Sequence, residues 1–267
     1  MTQIAESAHV DSAAEVDDSV LIGPNCFIGA GVRVGADCVL DNNVTLTGNT
    51  TIGCGNRFFP NAVVGTAPQD LKYRGEPTRL IIGERNVFRE NCTVNTGTEV
   101  GGGVTQIGSD NLLMTGVHVA HDCILEDHLT IANNVLMAGH VKLESNVSVM
   151  GGAAMHHFVT VGRYAYVAGF SRVVRDIPPF MKSAGDPVSV RGANVEGLKR
   201  ARFDEREIER IKEGYRFLYR NGTPLEANIT TMLERDVDGY LLELVEFLRR
   251  SASGVYGRHR ETLRADK

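Results

Sequence analysis

From Ile107 to Val173 an apolar residue returns at every sixth position: Ile107, Leu113, Val119, Leu125, Ile131, Met137, Leu143, Val149, Met155, Val161, Val167 and Val173. A helix repeats its faces at 3.6 residues and a strand at 2, so a sustained period of six belongs to neither alone. The same series opens the chain at Ile4, Val10, Val16, Ile22, Ile28, Val34, Leu40, Leu46, Ile52, Phe58 and Val64, with glycine directly after several of them. Repetition of this kind marks a parallel β-helix, in which each hexad is one short strand and a turn. Three hexads, eighteen residues, close one triangular coil. Coils stack at the strand spacing of about 4.8 Å, so residues eighteen apart lie one above the other. The hexad residue and the residue two before it point inward, while Gly, Asn and Asp take the corners. The expected fold class is mainly β, a hexapeptide-repeat solenoid.

Composition narrows the function classes. A chain of 267 residues supplies one sizeable core plus an appendage, or a single elongated repeat domain. Its net charge of -5 gives no global reason for nucleic-acid binding. No run of eighteen apolar residues occurs, and MTQIAESAHVDSAAEVDD is too acidic and too weakly apolar for a signal peptide. A cytoplasmic protein without stable membrane insertion is expected. The five cysteines include no CxxC, which argues against a disulfide framework and a zinc ribbon. Cys26, Cys38, Cys92 and Cys123 each stand two places before a hexad residue, where a small inward side chain is needed. Packing, not thiolate chemistry, is their expected role.

Two interruptions follow. Between Val64 and Ile82 the phase survives, but Asp70 and Glu76 stand where aliphatic residues are due. Between Val94 and Ile107 one extra residue enters, within NTGTEVGGGVTQ. Both stretches, 66–81 and 95–106, read as loops leaving the prism, and loops on a rigid scaffold are where binding residues collect. Gly101, Gly102 and Gly103 lack the strand-then-helix context of a phosphate loop. After Val173, Pro178 and Pro179 are expected to stop the regular pairing, and a linker with Gly185, Pro187 and Gly192 leads into helical text. Asp204 and Glu207 read as a capping box. Ile208, Ile211, Tyr215, Leu218 and Tyr219 keep helical spacing until Asn221-Gly222. Thr223-Pro224 opens a second helix and LLELVEFLRR is a third. The expected division is a β-helix over 1–190 and a helical domain over 191–267 that caps the solenoid and packs against neighbouring subunits.

Six of the eight histidines gather at His118, His121, His128, His140, His156 and His157, none of them on a hexad position. Asp122 and His140 are eighteen apart and share an edge; His121, Gly139 and His157 form a second column. That is an acid–base site in outline. An imidazole with a pKa of about 6.5 suits proton abstraction from a hydroxyl near neutral pH, and a carboxylate fixes its tautomer and stabilises its cation. A backbone N–H such as that of Gly139 could meet a developing oxyanion. Zinc is the alternative chemistry, since histidines on a hexad scaffold can ligate it with a position open for water. The carbonic anhydrases built on this scaffold usually include a histidine pair five apart, which this chain lacks. A purely structural solenoid gives no reason for the loops or the histidine cluster.

The segments APQDLKYRGEPT, GSDNLLM, HVAHDC, AGHV and NVEGLKR resemble the UDP-N-acetylglucosamine O-acyltransferases that begin lipid A synthesis. The likeness runs from near the N-terminus into the helical tail, and the run around HVAHDC is highly specific. It implies a left-handed parallel β-helix with a C-terminal α-helical domain, assembled as a homotrimer with active sites in the clefts between subunits. It also implies transfer of a (3-hydroxy)acyl chain from acyl carrier protein to the 3-hydroxyl of UDP-N-acetylglucosamine. The carrier's phosphopantetheine thioester is the donor; no separate cofactor and no metal are implied. By this resemblance His121 matches the general base, Asp122 the carboxylate that orients it and Gly139 the oxyanion donor. Asp70, Lys72, His118 and His140 match sugar-nucleotide contacts, and His156 matches a histidine near the substrate. Asn194, Glu196 and Arg200 match residues around the nucleotide and the pantetheine or acyl arm. Gly169 matches the position whose size helps set acyl length. Familiar members carry glutamine where this chain has the substrate-side His157, and a histidine-arginine pair where it has Asn95-Thr96; Tyr166 and Pro187 also differ around the acyl groove. One base and one oxyanion hole suffice for direct attack on a thioester without a covalent enzyme intermediate.

The run Lys199, Arg200, Arg202, Arg206, Arg210, Lys212, Arg216 and Arg220 offers a docking face for the acidic carrier protein. A 3-amino UDP-sugar acceptor remains open beside the 3-hydroxyl. The N-acyltransferase of the same pathway carries an additional N-terminal uridine-binding domain, whereas the hexads here start at Ile4.

Overall fold

Strand pairing follows the hexad arithmetic. In the computed structural model, which describes residues 3–235 and 237–263, Leu112 pairs with Thr130, Thr130 with Ser148 and Ser148 with Tyr166, eighteen residues at each step. Among the described residues, strands of this kind build three faces, in sheets of eleven, nine and eight strands, parallel throughout except for the last strand of the first sheet. The result is a left-handed parallel β-helix. Most strands are two residues long, and the turns between them need a residue at positive φ: Asn25 (57°), Asp37 (59°), Asn43 (58°) and Asn134 (56°) supply it. Asn and Asp tolerate that region best after glycine, which is why they punctuate the repeat.

The hexad residues from Ile22 onward are buried, while Ile4, on a coil with only one neighbour, is 48% exposed. Cys26, Cys38, Cys92 and Cys123 are buried as expected, and burial pushes the Cys92 and Cys123 thiols up to about 12, away from nucleophile chemistry. Phe58 and Phe88 stack at 4.9 Å and 8° inside the prism, worth about 0.5–1.5 kcal/mol beyond their area burial. Asn56, Asn86 and Asn111 take the inward position two before Phe58, Phe88 and Leu113. Asn56 Oδ1 accepts from the Asn86 N–H, Asn86 Oδ1 from the Asn111 N–H, and Asn111 Oδ1 from the Leu129 N–H. This ladder satisfies buried backbone donors in the coils where the repeat is lengthened.

There the register widens to thirty residues between Arg57 and Val87 and twenty-five between Val87 and Leu112. The extra chain leaves at one corner in successive coils, between strands Val63–Thr66 and Arg79–Ile82 and between Thr93–Asn95 and Val104–Ile107. Both loops are shorter than expected, spanning 67–78 and 96–103, because Thr66 pairs with Asn95 and Arg79–Ile82 pairs residue for residue with Val104–Ile107. Asn95 and Thr96 are buried and tie the loops together: Asn95 Nδ2 donates to Thr66 Oγ1 and Ala67 O, and Thr78 Oγ1 donates to Thr96 Oγ1.

Pro178 and Pro179 do not end the stacking, contrary to expectation. Ile177 bridges Val161, and Met181–Ala184 pairs in parallel with Tyr166–Val167. The prolines sit in the turn between, where no ladder N–H is required. The expected linker is an antiparallel hairpin of Met181–Ala184 with Ser189–Ala193. Helices α1 (Val195–Arg200), α2 (Glu205–Arg220), α3 (Leu225–Glu234) and α4 (Gly239–Ala252) follow, then a 3₁₀ turn, His259–Leu263. The six residues of α1 are too few to show periodicity. Asp204 caps α2 by accepting from the Arg206 N–H at 2.8 Å, while Glu207 pairs with Arg210 instead of closing the box. A second core, including Phe180, Leu198, Ile211, Leu218 and Leu244, closes the last coil, and Arg163 binds Glu243 of α4 through two nitrogens. Of the expected basic face, Arg210, Lys212 and Arg216 are paired with acids on or beside α2; Lys199, Arg200, Arg202 and Arg206 are exposed. Among the described residues no helix is long and apolar enough to cross a membrane.

Candidate active site

The corner from which both loops leave continues in the next coils as the turns carrying His121-Asp122, Gly139-His140 and His157-Phe158. The two expected columns are present: the His140 N–H donates to His121 O at 3.0 Å, and the Phe158 N–H to Gly139 O at 3.2 Å. Asp122 (φ 60°), His140 (64°) and Phe158 (64°) occupy the positive-φ position of successive turns. Holding an ordinary side chain there costs about 1–2 kcal/mol, partly offset here because the His140 and Phe158 rings stack at 4.2 Å and 5°.

Asp122 is 2% exposed, and loop 96–103 is what buries it. Oδ1 accepts from the Thr98 N–H at 2.8 Å, and Oδ2 accepts from Thr98 Oγ1 at 2.6 Å and lies 2.7 Å from His121 Nδ1. Thr105 Oγ1 accepts from the Asp122 N–H at 2.8 Å. Gly101 lies flat on the carboxylate, since a Cβ there would stand 2.1–2.4 Å from its atoms. Burial raises the Asp122 pKa, but hydrogen bonds from His121 and Thr98, with His140 nearby, outweigh it and hold the carboxyl below the usual range. An ionised carboxylate only accepts, so His121 Nδ1 carries a proton, and in the neutral ring it is Nε2 that presents the lone pair.

Nε2 of His121 faces the Gly139 turn. A Cβ at Gly139 would lie 2.4 Å from His121 Cε1 and 2.7 Å from Nε2, so only glycine leaves the ring in place. Among the described residues the Gly139 N–H has no backbone acceptor. His140 stands edge-on to His121, with ring centres 5.2 Å apart and its Nε2 3.7 Å from Asp122 Oδ2. Burial pushes the His140 pKa down to about 4 against the attraction of Asp122, so at neutral pH it is an uncharged hydrogen-bonding group.

These groups open into a cavity of about 750 Å³. Loop 67–78 contributes Asp70, Leu71 and Lys72, with Asp70 Oδ1 accepting from the Lys72 N–H and Leu71 94% exposed at the mouth. Loop 96–103 contributes Thr98, Val100 and Gly101, and the coil corners contribute His121, Gly139, His140 and His157. Arg260, from the C-terminal 3₁₀ turn, completes the wall.

His118, His156, Gly169, Asn194, Glu196 and Arg200 do not line this cavity. His118 sits on a sheet face with Nδ1 2.8 Å from Thr93 Oγ1, and burial lowers its pKa. His156 packs its ring 3.8 Å from that of His157. Asn194 is buried as the cap of α1, accepting from the Gly197 N–H at 3.3 Å and donating to Tyr164 O at 2.9 Å. Glu196 and Arg200 are exposed on α1, and Gly169 is exposed at a different corner. Sequence reasoning gave no site role to Thr98, Gly101, Thr105, Phe158 or Arg260. Only Phe158 carried a signal, standing eighteen beyond His140. The ligand atoms of His121, Asp122 and His140 also fall within 4.8 Å of one another, as a metal site would require. Asp122 Oδ2 already takes hydrogen bonds from Thr98 Oγ1 and His121 Nδ1, so an ion held by that oxygen would compete with both.

A hexad β-helix that sets an imidazole–carboxylate pair over a glycine turn defines a hexapeptide-repeat acyltransferase. A family model described as UDP-N-acetylglucosamine O-acyltransferase, domain 2, matches residues 176–256. The acyl-(acyl-carrier-protein)–UDP-N-acetylglucosamine O-acyltransferase of Anaeromyxobacter sp. is 45% identical over 79% of this chain and 82% of its own; that of Verminephrobacter eiseniae is 45% identical over 71% and 72%. The chain belongs to the UDP-N-acetylglucosamine O-acyltransferase family. Solved structures agree: the UDP-N-acetylglucosamine acyltransferase from Campylobacter jejuni superposes with TM-score 0.87 at 34% identity, over 92% of this chain and 96% of that one. LpxA from Acinetobacter baumannii gives 0.86 at 37%, over 91% and 96%.

Proposed function

We propose that the chain transfers a (3-hydroxy)acyl group from the phosphopantetheine thioester of acyl carrier protein to position 3 of UDP-N-acetylglucosamine, the first step of lipid A biosynthesis. His121 Nε2 takes the proton from the acceptor hydroxyl as its oxygen attacks the thioester carbonyl. The Gly139 N–H meets the oxyanion, a contact typically worth about 3 kcal/mol in the transition state. Asp122 holds the imidazole in the correct tautomer and stabilises its cation, and the proton then passes to the departing thiolate. Asp70, Lys72, His140 and His157 contact the acceptor from the cavity walls. His118, His156, Gly169, Asn194, Glu196 and Arg200 complete clefts between subunits of a cytoplasmic homotrimer, and no cofactor beyond the carrier's thioester is needed.

The observation that carries this reading is the 2.7 Å contact between His121 and a buried, fourfold-anchored Asp122 at the cavity wall. His121→Ala is expected to lose about 10²–10⁴-fold in turnover while keeping the wild-type melting temperature and oligomeric state. Mass spectrometry of products from matched 3-hydroxyl and 3-amino acceptors, with a panel of acyl carrier protein thioesters, identifies the substrates. Undiminished turnover in the variant, or product with the amino acceptor alone, overturns the reading as stated.

A further inference from the structure

The cavity holds a cation that neither the repeat nor the two loops supply. Arg260 lies beyond the residues that the family model matches, in the 3₁₀ turn His259–Leu263 that returns from α4 to the prism. That turn is firmly anchored. The Asp176 N–H donates to Gly257 O at 2.8 Å, the His259 N–H donates to Asp176 Oδ2 at 2.9 Å, and buried Arg258 bonds both Val174 O, at 2.6 Å, and Glu261. Between Arg258 and Glu261 the backbone therefore has little freedom, and the Arg260 side chain is delivered to the wall beside His140, whose carbonyl accepts from Nη1 at 2.6 Å.

Among the described residues that is the single hydrogen bond of a guanidinium with five N–H donors, and no carboxylate pairs with it. The two carboxylates whose charge it feels are occupied. Asp176 accepts from Thr160, Ser251 and His259, and Asp122 is taken by Thr98 and His121. Burial accordingly lowers the Arg260 pKa from its ordinary value, which is the opposite of what an ion pair would do. A half-buried, pre-positioned guanidinium with unspent planar donors on a cavity wall is built for bidentate contact with an anion, phosphate above all. Both substrates of the proposed reaction carry phosphate: the acceptor as a diphosphate, the donor arm as a phosphodiester.

We propose that Arg260 binds a substrate phosphate group in this cavity, so that the C-terminal turn supplies a specificity-determining residue. The naming of the two phosphates rests on the acyltransferase reading; the anion site itself does not.

The test is equilibrium binding of UDP and, separately, of 4′-phosphopantetheine to the full chain by calorimetry, in wild type, Arg260→Gln and Arg260→Lys. Circular dichroism melts establish that each variant is folded. Loss of a charge-assisted bidentate contact is expected to weaken one of the two ligands about tenfold in Arg260→Gln, with partial recovery in Arg260→Lys. Weakening of UDP assigns the acceptor diphosphate, and weakening of phosphopantetheine assigns the donor arm. In turnover the same substrate's KM rises while kcat changes less than about twofold, a split that mere support of His140 would not give. Equal affinity of both ligands for wild type and folded Arg260→Gln overturns the proposal, as does a fall in kcat with both KM values unmoved. A wild-type chain that binds UDP through Arg260 yet acylates nothing would sink the acyltransferase reading and leave the anion site standing.

Discussion

His140 is held neutral by its surroundings, and that has a thermodynamic signature. Burial brings its folded pKa down to about 4, whereas an unfolded histidine titrates at about 6.5. Between those values the unfolded chain binds a proton that the folded chain refuses, so stability rises with pH across this window. The contribution is complete above about pH 6.5 and is lost as pH falls toward 4; allowing for the ring's partial exposure, it amounts to about 1–2 kcal/mol. Denaturant melts at pH 7 and pH 4.5 should therefore show a smaller acid destabilisation in His140→Asn than in wild type, since asparagine accepts the positive φ of this turn and carries no proton. Equal pH dependence in the two proteins would refute the assignment. At this scale the sequence was informative where side chains keep the eighteen-residue register. His121, Asp122, Gly139 and His140 could be stacked on paper because each coil repeats the last. Thr98 and Arg260 could not, because a loop and a terminal turn carry no period that fixes where they come to rest.

Among the elements, loop 96–103 does more than frame the cavity. It carries the donors that keep Asp122 ionised, and its Gly101 is pressed against the carboxylate. Gly101 does not have a positive φ, so Gly101→Ala is opposed by lack of space and not by backbone strain. The methyl group must push Asp122 or the loop aside, and Asp122 sets the position of His121. Misplacing a catalytic group by about 1 Å can cost on the order of 10²-fold, so kcat should fall between about ten- and a hundredfold with KM little changed, although residue 101 touches no reacting atom. Wild-type kcat in a folded Gly101→Ala protein would show that loop 96–103 does not position the pair. The prolines after Val173 show where element-level reading fails. Pro178 and Pro179 break the hexad spacing, yet the next strand returns to the same sheet, because parallel stacking needs the strand in register and tolerates a turn of different length. The hairpin beyond them was hidden for a related reason: its pairing is antiparallel and leaves no trace in a six-residue count.

For the whole molecule, the decisive fact is which matched residues one chain brings together. His121 and Gly139 line the cavity with Asp122 buried against His121; His156, Glu196 and Arg200 lie elsewhere on the same chain. In a cyclic trimer the contacts are heterologous, so each cleft joins one face of a protomer to a different face of its neighbour. If the base comes from one side and Arg200 from the other, His121→Ala and Arg200→Ala damage opposite sides of every cleft. Mixed trimers formed by co-expressing the two variants in equal amounts then contain some clefts flanked by two undamaged faces. Random assembly makes that fraction about one quarter, so two nearly inactive proteins should give about a quarter of wild-type turnover when combined. If both residues served one site within a single chain, every protomer in the mixture would carry one of the two lesions and no cleft could be whole. Activity no greater than the sum of the separate variants, measured on trimers shown by two affinity tags to contain both chains, would place the site within one chain and remove the shared cleft.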